Sequence, residues 1–304
     1  MAGGIEVEGL DKRYGPRAAV QDVSFDVREA EIFGILGPNG AGKTTTVEIL
    51  QGLRSPDAGR VRVLGLDPQR QTRALRRRIG SQLQESALPD RIKVWEALDL
   101  FASMTPAETD WRALLERWGL ADKASASFAS LSGGQRQRLF VALALVGSPE
   151  VVFLDELTQG LDPAARRVAW DLIREIREAG TTVVLVTHYM DEAELLADRL
   201  AIMDGGQVVA LGSPQELIAG SPAPRTVRFS ADHQDLSWLD GVRNVRKVVR
   251  RGGVVEVTGD GPLLAIVASQ LVSQGILPED LRVEQPGLED VFLELTGRIE
   301  KGAA

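Results

Sequence analysis

The stretch GPNGAGKT, residues 37–44, determines how the rest of this sequence is interpreted. It follows a short apolar segment, EIFGILG at residues 31–37, and it precedes residues with helical spacing. The pattern G-x-x-x-x-G-K-[ST] between a strand and a helix is typical of a loop whose backbone N–H groups surround a phosphate. A glycine-rich turn with a chance lysine is the alternative, and the strand and helix on either side disfavour it.

The surrounding sequence predicts an α/β fold, because apolar strands alternate with amphipathic helices up to about residue 220. Two further strands end in polar residues: VVFLDE at 151–156 and TTVVLVTH at 181–188. Ligands of open α/β sheets bind at the carboxyl ends of the strands, so these ends and the glycine loop are expected to form one site. The apolar residues between the two strands have the spacing of a crossover helix: Ala165, Val168, Ala169, Leu172, Ile173 and Ile176.

The chain is expected to have two domains, an α/β domain at residues 1–220 and a small α+β domain at 221–304. Residues from about 86 to 148 lack strand patterns and predict a helical subdomain within the first domain. A hairpin is expected to turn at Gly205 and Gly206. A helix near the end of the chain is expected to bury one face: Leu288, Val291, Phe292 and Leu295.

Composition narrows the possible classes of protein. The 304 residues are 44% apolar, and the absence of cysteine excludes disulfides, thiolate metal sites and cysteine nucleophiles. A net charge of −8 disfavours a nucleic-acid partner, and none is expected. Apolar runs are far shorter than the ~20 residues that cross a bilayer, and the start lacks a signal-peptide pattern, so a cytoplasmic protein is expected.

The polar strand ends carry residues suited to phosphate chemistry. Lys43 would add a positive charge near the terminal phosphate, and the Thr44 hydroxyl and the Asp155 carboxylate suit Mg²⁺ or its water shell. Glu156 could orient or deprotonate an attacking water. His188 would lie near the same phosphate if the strand ends converge. A solvated acidic turn and a core histidine are the alternatives, and the adjacent phosphate loop favours the catalytic interpretation.

A second glycine turn, LSGGQRQR at 131–138, opens a predicted helix. In chain order, GPNGAGKT, a glutamine after a strand in IGSQLQ, LSGGQRQR, VVFLDE, GLD and TH resemble the ATP-binding cassette (ABC) family over most of the chain. The resemblance implies a P-loop NTPase (ABC ATPase) core and an enzyme that binds ATP and Mg²⁺ and hydrolyses ATP. It also implies a head-to-tail dimer, in which the LSGGQ turn of one cassette covers the ATP of the other.

The resemblance extends to single residues. Those implied to bind ATP are Tyr14, which would stack on adenine, and Gly37, Pro38, Asn39, Gly40, Ala41, Gly42, Lys43, Thr44 and Thr45. Those implied to reach the partner's ATP are Leu131, Ser132, Gly133, Gly134, Gln135 and Asp162. Gln84 would be the loop glutamine that touches Mg²⁺ and water, with Gln82 as an alternative register. The metal set is then Thr44, Gln84 and Asp155, and the catalytic set is Glu156, His188, Lys43 and Gln84.

The chain departs from the family at one position, since the family usually has DEPT after the acidic strand and Leu157 replaces the proline here. Leucine keeps its backbone N–H and leaves φ freer. Both carboxylates remain, so hydrolysis is expected to persist, with its rate and its coupling to dimer closure open.

The closing segment PGLEDVFLELTGR at 286–298, together with the residues around the phosphate loop, resembles the ATPases of daunorubicin-resistance-type (ABC-2) exporters. That likeness implies export of a drug, antibiotic or lipid-like cargo through a separate multi-span membrane permease at the cytoplasmic face of the membrane. The second cassette would be identical or related, with a homodimer expected. The C-terminal domain would be regulatory or would support the dimer.

Two other classes of function remain open. A soluble ABC protein acting on nucleic acid or the ribosome would usually carry two cassettes in one chain or a long coiled-coil insertion, and this sequence shows neither. A nucleotide-binding module without hydrolysis is disfavoured by Glu156 and His188, although Leu157 leaves it open.

Overall fold

The computed structural model describes residues 4–82, 87–105, 110–221, 224–231, 235–284 and 286–297. The strands are β1 (Ile5–Tyr14), β2 (Arg17–Val27), β3 (Ile32–Leu36), β4 (Ala58–Val63), β5 (Ile79–Gln82), β6 (Val151–Asp155), β7 (Thr182–Thr187), β8 (Arg199–Asp204), β9 (Gln207–Gly212), β10 (Arg225–Ser230), β11 (Val245–Arg251), β12 (Val254–Gly259) and β13 (Arg282–Glu284). The α-helices are α1 (Lys43–Leu50), α2 (Thr72–Leu75), α3 (Val94–Ser103), α4 (Trp111–Arg117), α5 (Gly133–Ala144), α6 (Pro163–Glu178), α7 (Met190–Leu196), α8 (Pro214–Gly220), α9 (Leu263–Ser273) and α10 (Leu288–Leu295). The chain forms two compact units, Met1–Pro214 and Gln215–Ala304.

The first unit is built on a sheet with strand order β5-β6-β7-β3-β8-β9. The strands from β5 to β8 in this order run parallel, and β9 pairs antiparallel with β8 at the edge. Every residue of β3, β6 and β7 is buried, as expected of parallel strands covered on both faces. In β6, for example, Val152 and Leu154 enter one hydrophobic core and Val151 and Phe153 enter the other. The predicted α/β class is therefore confirmed.

The two cores are completed by different parts of the first unit. An antiparallel sheet with strand order β2-β1-β4 covers one core. Helices α3, α4 and α5 contribute to the other, and the described residues between 87 and 148 contain no strand, in keeping with the predicted helical subdomain. The crossover helix α6 buries Ala169, Leu172, Ile173 and Ile176, whereas Val168 is 47% exposed. Val168 borders an open cleft between α5 and α6, which accounts for its exposure, and the predicted crossover helix itself is confirmed.

The hairpin between β8 and β9 confirms the predicted turn. Asp204 pairs with Gln207, and Gly205 and Gly206 between them have φ values of 55° and 85°. Positive φ at both central residues is what a two-residue turn between strands requires, and glycine adopts it without strain.

The second unit is α+β, as predicted. Its sheet has strand order β11-β12-β10-β13, with every pair antiparallel, and α9 packs on it through Leu263, Val267 and Leu271. Helix α10 buries three of the four residues predicted to form its apolar face, whereas Leu295 is 42% exposed because it lies at the last position of the helix. The functional division of the chain at residue 220 stays a prediction. In the described ranges, no helix combines the length and apolar character needed to span a membrane.

Candidate active site

The predicted phosphate loop connects β3 to α1, and its glycines are required by geometry. Gly40 and Gly42 have φ values of 83° and 100°, which side chains rarely tolerate. A Cβ at Gly42 would lie 2.3 Å from the carbonyl oxygen of Ala19, and one at Gly37 would lie 2.3 Å from that of Met203. The loop backbone is therefore packed closely against neighbouring strands, where a side chain at Gly37 or Gly42 would collide with main-chain atoms.

Lys43 lies at the first position of α1 and is 5% exposed. Its Nζ donates to the carbonyl oxygens of Gly37 and Pro38, at 2.7 and 3.1 Å. Burial lowers the pKa of Lys43, and the charges of Glu156 and Asp155 oppose that shift. The N–H groups of the first helical turn have no acceptor within the helix, so the loop and the helix start together present donors suited to an anion.

Glu156 and His188 meet at the carboxyl ends of β6 and β7. The Oε1 atom of Glu156 lies 3.0 Å from Nδ1 of His188. Glu156 has a φ of 52°, which is uncommon for a residue with a side chain, and its N–H donates to the carbonyl oxygen of Val186 at 2.9 Å. The pairing of β6 with β7 thus continues through a strained residue, and such strain is concentrated at functional sites.

Asp155, the last residue of β6, is 4% exposed. Burial raises its pKa to about 6, the charge of Glu156 adds to the shift, and the charge of Lys43 opposes it. Two buried carboxyls next to one lysine leave the site poorly suited to a bare triphosphate. Mg²⁺ prefers oxygen ligands, and the Asp155 carboxylate and the Thr44 hydroxyl are of that type, so the residues present fit this metal.

A cleft of about 430 Å³ contains most of the predicted ATP-binding residues. It is lined by Tyr14, Arg17, Ala19, Asn39, Gly40, Gly42, Lys43, Thr44, Thr45 and Glu156. Tyr14 is 40% exposed and is flanked by Lys12 and Arg54, whose charged groups lie 5.8 and 5.2 Å from its ring centre. The remaining members of the predicted loop, Gly37, Pro38 and Ala41, belong to the same turn without lining the cleft.

Sequence reasoning missed Arg17 and Ala19. Arg17 pairs with Tyr14 across the β1–β2 hairpin, and its guanidinium donates to the carbonyl oxygen of Gly40 at 3.4 Å. The turn RYGPR could have indicated that Tyr14 and Arg17 lie side by side, but only the tertiary structure brings that hairpin against the phosphate loop.

The LSGGQ turn lies away from this cleft. Ser132 caps α5: its Oγ accepts from the N–H of Gln135 at 3.3 Å, and Oε1 of Gln135 accepts from the N–H of Ser132 at 2.9 Å. Leu131 is buried, whereas Ser132 and Gly133 are exposed. A Cβ at Gly133 would meet no atom within 4 Å, so packing within this chain does not require that glycine.

The other predicted residues are distributed as follows. Ser132, Gly133, Gly134, Gln135 and Asp162 line a second cleft, of about 370 Å³, between α5 and α6. The Asp162 carboxylate caps α6 by accepting from the N–H groups of Ala164 and Ala165, at 2.9 and 3.0 Å. Gln84 lies outside the described residues, and Gln82 is buried at the end of β5.

Leu157, which replaces the proline usual in the family, is 2% exposed. Its side chain belongs to the core that covers the helical side of the sheet. The departure from the family pattern therefore adds a buried apolar side chain to the turn after Glu156.

A phosphate loop at a strand-to-helix junction of a parallel sheet, with carboxylates at the end of a nearby strand, defines the chain as a P-loop NTPase. The profile of the ABC transporter family matches residues 20–159. Over 304 residues the chain is 40% identical to the daunorubicin resistance ATP-binding protein DrrA3 of Streptomyces coeruleorubidus, with 96% of each chain covered. It is 38% identical to the Nod factor export ATP-binding protein I of Ralstonia nicotianae, covering 97% of this chain and 94% of that protein.

Solved structures agree with these relatives. An ATP-binding subunit of an ABC transporter is similar with a TM-score of 0.65 and 27% identity, over 71% of this chain and 92% of that one. The cbiO1 protein from Clostridium perfringens, part of the transporter complex cbiONQ, is similar with a TM-score of 0.66 and 28% identity, over 72% and 92%. The chain belongs to the ABC transporter family: it is an ABC-type ATPase that binds nucleotide. ATP-binding subunits of this family dimerise and work with a separate membrane permease.

Proposed function

We propose that this chain is the ATP-binding subunit of an exporter and hydrolyses ATP between two head-to-tail copies to drive cargo through a separate permease. The observation that carries the proposal is the 3.0 Å contact between Oε1 of Glu156 and Nδ1 of His188. Glu156 also lines the cleft that contains Lys43 and the phosphate loop. A carboxylate and an imidazole in contact beside a phosphate cleft suit the activation of water for attack on a phosphoryl group.

The nucleotide would be held mainly by the backbone. The N–H groups of the loop and of the first turn of α1 would surround the phosphates, and Lys43 would exchange its bonds to Gly37 and Pro38 for phosphate oxygens. Tyr14 is exposed at the rim of the cleft, where its ring could stack on adenine. Arg17, which lines the same rim, would add positive charge.

Hydrolysis would depend on the two strand ends. Glu156 would accept a proton from the attacking water or orient it, and the contact with His188 would fix the direction of the carboxylate. His188 would contact Glu156 through Nδ1 and face a γ-phosphate oxygen through Nε2. Bound Mg²⁺, held by Thr44 and Asp155 and, by family resemblance, Gln84, would offset the negative charge of the phosphates.

The LSGGQ turn would act on the ATP of the second copy. Gly133 has open space around it, and Ser132 uses its oxygen as a cap acceptor while keeping its own proton to donate. The turn is exposed, its glycine is not required by packing within the chain, and its hydroxyl can donate. These properties suit close approach by a phosphate bound to another molecule. Leu131, Gly134, Gln135 and Asp162 would form the rest of this surface, and two identical copies would then complete two sites.

The export assignment rests on the relatives, which are named for daunorubicin resistance and Nod factor export. By that likeness the permease would be of the ABC-2 type, and the cargo a drug, antibiotic or lipid-like molecule. The chain would act at the cytoplasmic face of the membrane, attached through the permease. The second unit, residues 215–304, would be regulatory or support the dimer.

The test is co-purification of the tagged Glu156→Gln chain, held with Mg-ATP, from detergent-solubilised membranes. Mass spectrometry should find a stoichiometric multi-span membrane protein, and phosphate release should be at least about a hundredfold slower than in the native chain. Glu178→Gln, an exposed site at the end of α6, is the matched control and should hydrolyse normally. Ribosomal proteins or nucleic acid in place of a permease would overturn the exporter assignment. Equal rates for Glu156→Gln and the native chain would overturn the catalytic one.

A further inference from the structure

A buried carboxyl that sequence analysis did not single out contacts two threonines that lie next to the proposed catalytic residues in the chain. Glu192, in α7, is 0% exposed. Its Oε1 accepts a hydrogen bond from Nε1 of Trp170 at 3.2 Å. The hydroxyls of Thr187 and Thr158 also interact with the carboxyl. One side chain therefore contacts three different elements: the end of β7, the turn after β6 and helix α6.

The elements that Glu192 joins are the ones that carry the proposed catalytic groups. Thr187 is the last residue of β7 and directly precedes His188. Thr158 follows Glu156 in the turn, and its carbonyl oxygen accepts from the N–H of Leu161 at 3.2 Å, next to Asp162. A movement of the turn that leads to Asp162 would therefore be felt at Glu192, and through Thr187 at His188.

The contact between Glu192 and Thr158 is incomplete. Both Oε2 of Glu192 and Oγ1 of Thr158 are sealed from solvent, and in the described ranges neither has a partner with normal hydrogen-bond geometry. Burial raises the pKa of Glu192, which favours the protonated form. A protonated carboxyl can donate from Oε2, so a small shift of the turn would complete the bond to Thr158.

Helix packing alone does not explain this residue. Arg166 already links α6 to α7 through Asp191, at 3.4 Å. An apolar side chain of similar volume would fill the position without the free-energy cost of burying a carboxyl. That cost is larger when buried polar atoms lack hydrogen-bond partners. A buried acid kept at this point is better explained by its contacts with the two hydroxyls.

We propose that Glu192 is a positioning residue for ATP hydrolysis, which couples the turn at Thr158, and so Asp162, to Thr187 and His188 at the end of β7. Asp162 lies on the surface proposed to meet the second copy, so this link would align His188 with Glu156 when the two copies close. The inference rests on the proposed roles of Glu156 and His188. Glu192 itself does not touch the nucleotide; it acts through the two threonines.

The test compares Glu192→Leu with Glu192→Gln in the full-length chain. Leucine fills the space but cannot bond either threonine, so kcat for phosphate release should fall about tenfold while KM for ATP changes less than about twofold. Glutamine can accept from Trp170 and donate to Thr158, as the protonated acid would, and should restore kcat to within about twofold of the native value. Glu178→Leu, exposed at the end of α6, is the control and should leave both constants unchanged.

A double-mutant cycle separates coupling from local packing. Thr158→Val replaces the hydroxyl with a methyl group of similar size, and with Glu192→Leu it should lower kcat no further than either single change. Additive losses, or a native kcat in a folded Glu192→Leu chain, would overturn the inference. A parallel rise in KM, or failure of glutamine to restore the rate, would do the same. Glu156→Gln in the same assay tests the proposed function separately: if it is inactive while Glu192→Leu is fully active, only the role of Glu192 is lost.

Discussion

Oε1 of Glu156 lies 3.0 Å from Nδ1 of His188, and the two residues follow neighbouring strands of the parallel sheet. Helix α6 lies between the two residues in the sequence and returns the chain from the end of β6 to the start of β7. The sheet order therefore creates the contact, and local sequence does not. Because a hydrogen bond fixes the carboxylate relative to the imidazole, each side chain should affect the chemistry of the other.

His188→Ala should lower kcat for ATP hydrolysis by about ten- to a hundredfold with little change in KM, because the proposed role of the ring is to act on the transferring phosphate and to orient Glu156. Steady-state phosphate release at several ATP concentrations measures both constants. Tyr189→Phe is the control: its ring centre lies 4.1 Å from that of His188, and the change keeps the ring while removing the hydroxyl. Near-native kcat in His188→Ala would show that the 3.0 Å contact has no catalytic role.

Gly42→Ala should abolish measurable ATP binding and destabilise the fold, because the new Cβ would lie 2.3 Å from the carbonyl oxygen of Ala19. Gly180→Ala is matched for backbone conformation, with φ of 93° against 100°, but its new Cβ would meet no atom within 4 Å outside the adjacent residues. It should cost only about 1 kcal/mol of unfolding free energy and leave binding unchanged. Titration with a fluorescent nucleotide and urea unfolding measure the two effects. Native affinity in Gly42→Ala would contradict the assignment of this loop.

Mixing two inactive chains should restore activity if each site is shared by two copies. Lys43→Ala removes the phosphate-loop lysine, and Ser132→Arg blocks the turn proposed to act on the partner. A mixed dimer would place both changes in one site and leave the other intact. Equal amounts should recover about a quarter of the native rate, because about half the dimers are mixed and each has one working site. No recovery from chains shown to exchange subunits would contradict head-to-tail sharing.

The stability of Glu192→Gln relative to the native chain should increase with pH. Burial raises the pKa of Glu192 above its usual value of 4.5, and the charge of Asp191 adds to that shift. The nearby hydroxyls of Thr187 and Thr158 and the hydrogen bond from Trp170 oppose it. The folded state thus holds the proton more tightly than the unfolded state. Native stability from this group is lost as pH rises from about 4.5 through the folded-state pKa.

Urea unfolding of both chains at pH 5 and pH 8 tests this prediction. Glutamine does not titrate, so the difference in unfolding free energy should shift in favour of the glutamine chain at the higher pH. Glu178→Gln, at an exposed position, should show no such trend. A difference that is the same at both pH values would mean that burial does not penalise the charged form of Glu192.

Much of the fold could be predicted from local pattern. The strands ending at Leu36, Asp155 and Thr187 were visible as apolar runs with polar residues after them, and the Gly205–Gly206 turn followed from glycine chemistry. One predicted position was wrong: Leu295 has the spacing of the buried face but lies at the last position of its helix, where it is 42% exposed.

Much of the candidate site was also predictable, with the roles of its residues still to be tested. Lys43, Thr44 and Glu156 line one cleft, as the strand ends suggested, and Tyr14, which the family resemblance implied, lines it too. Arg17 and Glu192 were not predictable, since each belongs to the site only through contacts with distant segments.

The sequence by itself determined the strand-to-helix phosphate loop, the order of the motifs and the ATPase family, because these depend on residue types at short spacing. Only the tertiary structure decided that Glu156 touches His188 and that Glu192 is buried against Thr187 and Thr158. Such contacts arise from the order in which parallel strands pair, and no short stretch of sequence encodes that order.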